Sequence, residues 1–293
     1  MFKFRRSSFS TIFLLTSFLL VSCSSKIKDF SLNINEPLEN TQSNNKRVVA
    51  LTSLTADLVN RLESDSLLAI PGSRLLKSNQ EFKDKIVISQ GRNPPNIEKI
   101  IALEPDLVIG AKGFHDKALS QIKDLGIGTV STEIKSWNDL VLLTEEISKY
   151  LDVDNPSLYS LAPYCKPFTG ELSSDSTIVL VSSAPLLSPN KKSWAGSILS
   201  KFYINNLIRD IQSKSGFDGY VTLSPEILLK KNPDNIILID TGNDMKELFL
   251  SKSYSSNLKA VKNNNIFTFN YYGLINPGSI ESVNNACQKL VKL

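Results

Sequence analysis

Two stretches of this chain carry the same pattern. Asn96, Glu98, Pro105 and Asp106 lead into the apolar run Leu107–Gly110, and Ser224, Glu226, Pro233 and Asp234 lead into Ile236–Asp240. Glu98 and Glu226 are 128 positions apart, and so are the two prolines and the two aspartates that follow them. Asn and Ser are good N-caps, Pro225 suits the first helical position, and each glutamate then falls in the first turn, where the helix dipole favours negative charge. Ile97, Ile100 and Ile101 in one copy, and Ile227 and Leu228 in the other, supply an inward stripe. Each proline stops its helix before a buried strand. A capped helix, a Pro-Asp turn and an apolar strand used twice constrain the chain to two lobes of one α/β type.

The rest of the chain alternates in the same way. A strand is expected at Arg47–Thr52, a helix at Thr55–Leu62 with Asp57 in its first turn, and a short strand at Ile86–Ile88. After the first copy of the pattern come a helix at His115–Leu125, a strand at Gly128–Ser131 and a longer helix capped by Ser136 and running to about Leu151. The second half begins with the strand Thr177–Val181 and continues with a helix at about Ala195–Leu207. It closes with a helix within Met245–Lys259, a strand at Ile266–Phe269 and a helix from Ser279 to Leu290. Strands separated by helices imply parallel sheets covered on both faces. Two such runs imply two Rossmann-like lobes, residues 47–135 and 177–293, joined through residues 136–176, with a ligand cleft between the lobes.

The N-terminus indicates where the chain works. Lys3, Arg5 and Arg6 precede an apolar run from about Ile12 to Val21, the layout of a secretory signal rather than of a membrane span. The run ends in Ser22 and Cys23, which resembles a bacterial lipobox and implies that residues 1–22 are removed and that Cys23 carries a lipid. Such a lipid would hold the protein on a membrane surface, periplasmic or cell-surface. Residues 23–46, rich in Ser, Asn, Lys and Glu, read as a flexible tether.

Charge argues against a nucleic-acid partner. The chain has 33 Lys+Arg against 29 Asp+Glu, and removal of Lys3, Arg5 and Arg6 leaves it near neutrality with no basic tract interleaved with aromatics. With Cys23 allotted to lipid, Cys165 and Cys287 remain, either paired or as two separate buried thiols.

The segments Arg47–Thr52, Pro95–Gly110, Leu125–Ile127, the second copy of the pattern and Leu258–Phe267 together resemble, in order, the class III binding proteins of ABC importers, the family of ferric-siderophore, haem and cobalamin receptors. The resemblance implies two lobes joined by one long stiff helix, with modest closure around a ligand. It also implies that Glu98 and Glu226, one on each lobe, dock onto arginines of the permease dimer. Two carboxylates held apart on a rigid body suit two cationic sockets. A monomeric receptor without a cofactor is expected, its cargo a ferric chelate, with a corrinoid or haem as the alternatives.

Ligand contacts are expected in the loops after the C-terminal ends of the strands, where open parallel sheets bind ligands. That rule selects Arg74, Gln90, Arg92, Lys112 and Phe114 in the first lobe, and Ser183, Trp194, Tyr220, Tyr271 and Tyr272 in the second. Aromatics offer flat apolar surface to a chelate or macrocycle, and Arg and Lys answer carboxylate or catecholate charge. His115, the only histidine, begins a predicted helix and is expected to be solvated; a free-metal site would want several converging ligands.

Pro156, Pro163 and Pro167 set the connector apart from the family pattern. Proline inside a helix removes a hydrogen bond and clashes with the preceding turn, so a shorter or kinked connector is expected beyond Leu151. An exported hydrolase is the rival class. The chain has no Gly-x-Ser-x-Gly elbow, His-Glu-x-x-His motif or phosphate-binding Gly-x4-Gly-Lys pattern, and one histidine limits acid–base triads.

Overall fold

Residues 48–50, 67–70, 86–87, 107–111 and 128–132 are the strands β1 (Val48–Ala50), β2 (Leu67–Ile70), β3 (Ile86–Val87), β4 (Leu107–Ala111) and β5 (Gly128–Thr132). They form one parallel sheet in the order β3-β2-β1-β4-β5. The computed structural model describes residues 46–293 apart from 91–92, 155, 167–170, 213–217 and 243. The expected signal, tether and lipid-bearing Cys23, and the cleft candidate Arg92, lie outside the described residues.

The second half contains β6 (Ser176–Leu180), β7 (Ser182–Ser183), β8 (Leu186–Pro189), β9 (Asn205–Asn206), β10 (Tyr220–Leu223), β11 (Asn235–Asp240) and β12 (Ile266–Asn270). A parallel sheet runs β12-β11-β6-β9, and a small antiparallel sheet runs β10-β8-β7. The antiparallel sheet and β2 are absent from the reading of the sequence. Each is built from runs of two to four residues, too short for periodicity to separate strand from loop.

Strand alternation sorts each parallel sheet into two faces. Val48, Ala50, Leu107 and Ile109 point into one cluster, and Val49, Leu51 and Val108 point into another on the far side. In the second lobe Val179, Ile237 and Ile239 face one way, while Ile178, Leu180, Ile236 and Leu238 face the other. The cluster holding Val48 also holds Val179 and Ile237, so one apolar core runs from one sheet through the intervening helices to the other. Close-packed interiors resist shear, so a shared core favours small lobe movements over wide hinging.

The helix Trp137–Tyr150 is the main connector. Ser136 caps it, its Oγ accepting from the Asp139 amide at 3.2 Å, and the Trp137 amide donates to Ser197 Oγ of the second lobe at 3.1 Å. The helix ends at Leu151, and the chain passes through Asp152 at φ 55° to a short helix, Leu158–Leu161, and a tight turn at Pro163–Cys165. Cys165 and Cys287 form a disulfide that ties this turn to the C-terminal helix Ile280–Leu290.

Other boundaries shift for local reasons. The helix expected from Ala195 to Leu207 is Trp194–Lys201, followed by β9. The one expected within Met245–Lys259 breaks into Met245–Leu250 and Lys259–Lys262 with a single 3-10 turn between. Asp57 falls beyond the first turn of Ser53–Leu62, because Thr52 is the N-cap. Among the described residues no helix is long and apolar enough to cross a membrane.

Candidate functional site

The strand order of the first sheet reverses direction beside β1, and of the second beside β6, which places a crevice at the C-terminal ends of the neighbouring strands. In the second lobe the chain leaves β12 at Asn270 and makes a tight turn at Tyr271–Ile275, closed by the Ile275 amide on the Tyr271 carbonyl at 3.0 Å. Tyr272 and Gly273 leave the helical region, Gly273 at φ 98°. A side chain at Gly273 would strike the Ser282 carbonyl at 2.1 Å, so glycine alone lets the turn lie on the C-terminal helix. The two tyrosine rings meet edge to face with centroids 5.4 Å apart.

Trp194 sets this turn from beneath. Expected to line the cleft, it is 3% exposed at the start of Trp194–Lys201, and its Nε1–H donates to the Gly273 carbonyl at 2.8 Å. A buried indole needs a partner for its N–H, and the one available is the backbone of the tyrosine turn. Tyr220, half-buried on β10, has its phenol pushed up to about 12 by burial, with Tyr271 adding to the effect. Burial also raises Tyr271, with Tyr272 contributing and a hydrogen bond with Asn276 opposing. At neutral pH both are phenols, able to donate a hydrogen bond as well as to accept one.

A cavity of about 530 Å³ opens at this turn and reaches the first lobe. Arg74 and Leu75 line it from one side, and Tyr271, Tyr272, Asn285 and Lys289 from the other. The structure thus brings three of the predicted ligand residues, Arg74, Tyr271 and Tyr272, around one space. Gly278 makes the convergence possible, since a Cβ there would lie 2.5 Å from the Tyr272 ring and 3.1 Å from Leu75. Asp240, Asn285 and Lys289 were missed. Asp240 ends β11 and so obeys the strand-end rule; Ser282, Asn285 and Lys289 follow helical spacing on the polar side of Ile280–Leu290.

Lys112 and Phe114 lie on the other side of β1 in the first sheet, where the chain leaves β4. The Lys112 ammonium lies 3.2 Å from Glu133; Lys135 lies 2.9 Å from Glu133 and 3.1 Å from Asp218 of the second lobe. Hydrogen bonds from Lys135 and then Lys112 hold Glu133 below the usual carboxylate range. The cations here already have carboxylate partners, whereas Arg74 has no ion pair among the described residues. Phe114 is 69% exposed, its ring edge-to-face with His115.

His115 is buried, not solvated as expected. Its Nδ1 accepts from the Ala111 amide at 2.9 Å, and desolvation lowers its pKa, the nearby Asp116 opposing. The ring caps the exit from β4 as a neutral acceptor. Among the described residues no three His, Cys, Asp or Glu side chains are grouped to hold a metal ion.

The repeated units fold alike. Asn96 Oδ1 accepts from the Lys99 amide at 2.8 Å and Ser224 Oγ from the Ile227 amide at 3.3 Å, which puts Glu98 and Glu226 at the same helical position, both exposed. A hydrogen bond with Ser224, then its own backbone amide, lowers the pKa of Glu226. Glu104 and Asn232, again 128 apart, take the left-handed conformation at φ 44° and 42° directly before the prolines.

Residues 48–151 match the model of the family described as periplasmic binding protein. No curated protein matches the chain. The vitamin B12 binding protein BtuF of Vibrio cholerae has the same fold at TM-score 0.63 and 19% identity, covering 85% of this chain and 96% of that one. A possible iron-binding (periplasmic solute-binding) protein from Staphylococcus epidermidis gives 0.67 and 18%, covering 85% and 98%. The periplasmic heme-binding protein RhuT from Roseiflexus sp. RS-1 gives 0.61 and 15%, covering 85% and 97%. The sequence match over residues 48–151 and the shared architecture over most of the chain therefore give it a periplasmic-binding-protein fold.

Proposed function

We propose that this protein is the substrate-binding receptor of an ABC importer: it captures a metal chelate, a ferric complex in the first instance, between its lobes and hands it to a membrane permease without chemistry of its own. The observation that carries the reading is the cavity shared by Arg74 of one lobe and the Tyr271–Tyr272 turn of the other. Two phenol rings offer flat apolar surface to a chelate, and a guanidinium with no ion pair among the described residues answers the carboxylate or catecholate charge of its ligand shell. Lys289, over the Phe269 ring at 5.5 Å and bonded to the Thr268 carbonyl, adds a second cation to the same wall. Lys112, Phe114, Trp194 and Tyr220 belong to this proposal in lesser roles, Trp194 acting through the tyrosine turn.

Glu98 and Glu226, at matching helix starts, are the permease-docking carboxylates of this reading, and a lipid on Cys23 keeps the receptor at the membrane. The alternative cargo is a corrinoid or haem, supported by the ligands named for two of the relatives. Intrinsic fluorescence separates these, because the Trp194 indole is bonded to the turn that would contact cargo. Titration with a ferric catecholate is expected to quench emission, with cobalamin and haem giving no saturable change. Absence of quenching by all three would overturn the cargo class.

A further inference from the structure

Beyond the tyrosine turn, the chain passes Asn276 to Gly278 and enters the C-terminal helix Ile280–Leu290, capped by Ser279, whose Oγ accepts from the Ser282 amide at 3.1 Å. The first amide of that helix does not stay within its lobe. Ile280 N–H donates to Asp57 Oδ2 at 2.7 Å, a partner 223 positions away on the first-lobe helix Ser53–Leu62. Asp57 is 1% exposed, and its other oxygen accepts from Arg61 Nε at 3.0 Å. Ile280 and Val283 are buried in the core that joins the lobes.

A carboxylate this deep is stable only if its oxygens are matched, and the unsatisfied amides and dipole of a helix N-terminus are a natural match. Here the helix belongs to one lobe and the carboxylate to the other. The bond sits two residues after Gly278, whose Cα side is pressed between Tyr272 and Leu75. Leu75 and Tyr272 line the cavity from opposite sides, so the bond anchors a segment that lies against both of its walls.

We propose that Asp57 is a positioning residue for ligand capture: a first-lobe carboxylate that caps a second-lobe helix and thereby fixes the Tyr271–Tyr272 turn against Arg74. Its ligand arm rests on the receptor reading above; its mechanical arm does not. Asp57 is buried and does not line the cavity. It acts by holding residues 276–280 against the first lobe, which sets the width of the cavity rather than its chemistry.

The test uses amide hydrogen exchange on the full chain together with ferric catecholate binding. In Asp57→Ala, exchange across residues 276–284 is expected to quicken at least tenfold while that of β4 and β11 stays as in the wild type, and affinity is expected to fall about tenfold. Asp57→Asn keeps an oxygen acceptor for the Ile280 amide and is expected to recover much of both, and it serves alone if the alanine variant fails to fold. Arg61→Gln, which leaves the cap in place, is expected to change exchange less than Asp57→Ala does. Unchanged exchange across 276–284 would overturn the proposal. Faster exchange with unchanged affinity would overturn it too, reducing Asp57 to a structural cap. If the wild type binds no ferric catecholate, the cargo reading fails by itself, and the exchange comparison still decides whether Asp57 couples the lobes.

Discussion

The two copies of the repeated unit use one backbone and two different sets of buttresses. In the first lobe Asp106 accepts from the Arg47 amide at 2.8 Å, just before β1, and the Arg47 guanidinium reaches back to the carbonyls of Leu103 and Glu104. In the second lobe Asp234 accepts from both the amide and the hydroxyl of Ser176, at the start of β6, and is ion-paired with Lys259. Lys259 also donates its amide to Asn232. One lobe thus spends its cation on the carbonyls at a helix C-terminus and the other on the carboxylate itself, both favourable but with different reach. The shared elements are those that set backbone direction: an N-cap, a left-handed residue, a proline, and an aspartate bound to the neighbouring strand. Those that differ are side-chain supports for which several solutions exist.

The largest effect expected from this comparison is functional. Replacing Glu98 and Glu226 together with alanine should abolish uptake in a transport assay while leaving chelate affinity unchanged. Each single variant should lose a similar share if the lobes are used symmetrically. Loss of ligand binding instead would place the glutamates in the cleft, and strongly unequal single variants would break the equivalence of the two units.

Next comes the disulfide, which has no counterpart in the first lobe. It joins the connector to the C-terminal helix across 122 positions. Replacing Cys165 and Cys287 with serine is expected to lower unfolding free energy by about 3 kcal/mol in denaturant titrations, chiefly by freeing the unfolded chain. A loss confined to the second lobe, read by exchange, would mark it as a local support.

The smallest effect compares the aspartates directly. Asp234→Ala should cost about 2 kcal/mol and Asp106→Ala about 1 kcal/mol, since Asp234 has more charge-assisted partners. Hydrogen bonds from Lys259 and then Ser176 hold the folded-state pKa of Asp234 well below the ordinary carboxylate range. Its contribution is therefore complete above the unfolded value of about 3.9 and shrinks as pH falls below it. Stability curves of wild type and Asp234→Ala should converge in acid; a gap that persists unchanged below about pH 3 would mean that packing, not charge, sets it.

The amino-acid sequence alone determined what is local. The caps at Asn96, Ser136 and Ser224, the stop at each proline and the alternation of apolar strands with helices all depend on neighbours within a few positions, so residue types and spacing suffice. The strand-end rule selects Arg74, Tyr271 and Tyr272, which line one cavity in the structure. The burial of Trp194 and His115 was not legible, because a position along the chain does not reveal which way a ring turns: one points down to the Gly273 carbonyl, the other back to the Ala111 amide. Only the tertiary structure decided the pairing of Cys165 with Cys287, the antiparallel sheet around Tyr220, and the bond from Ile280 to Asp57. Those contacts join residues 31 to 223 positions apart, and which of many sterically possible partners meet is settled by how the shared core packs, a property of the whole chain that no short window contains.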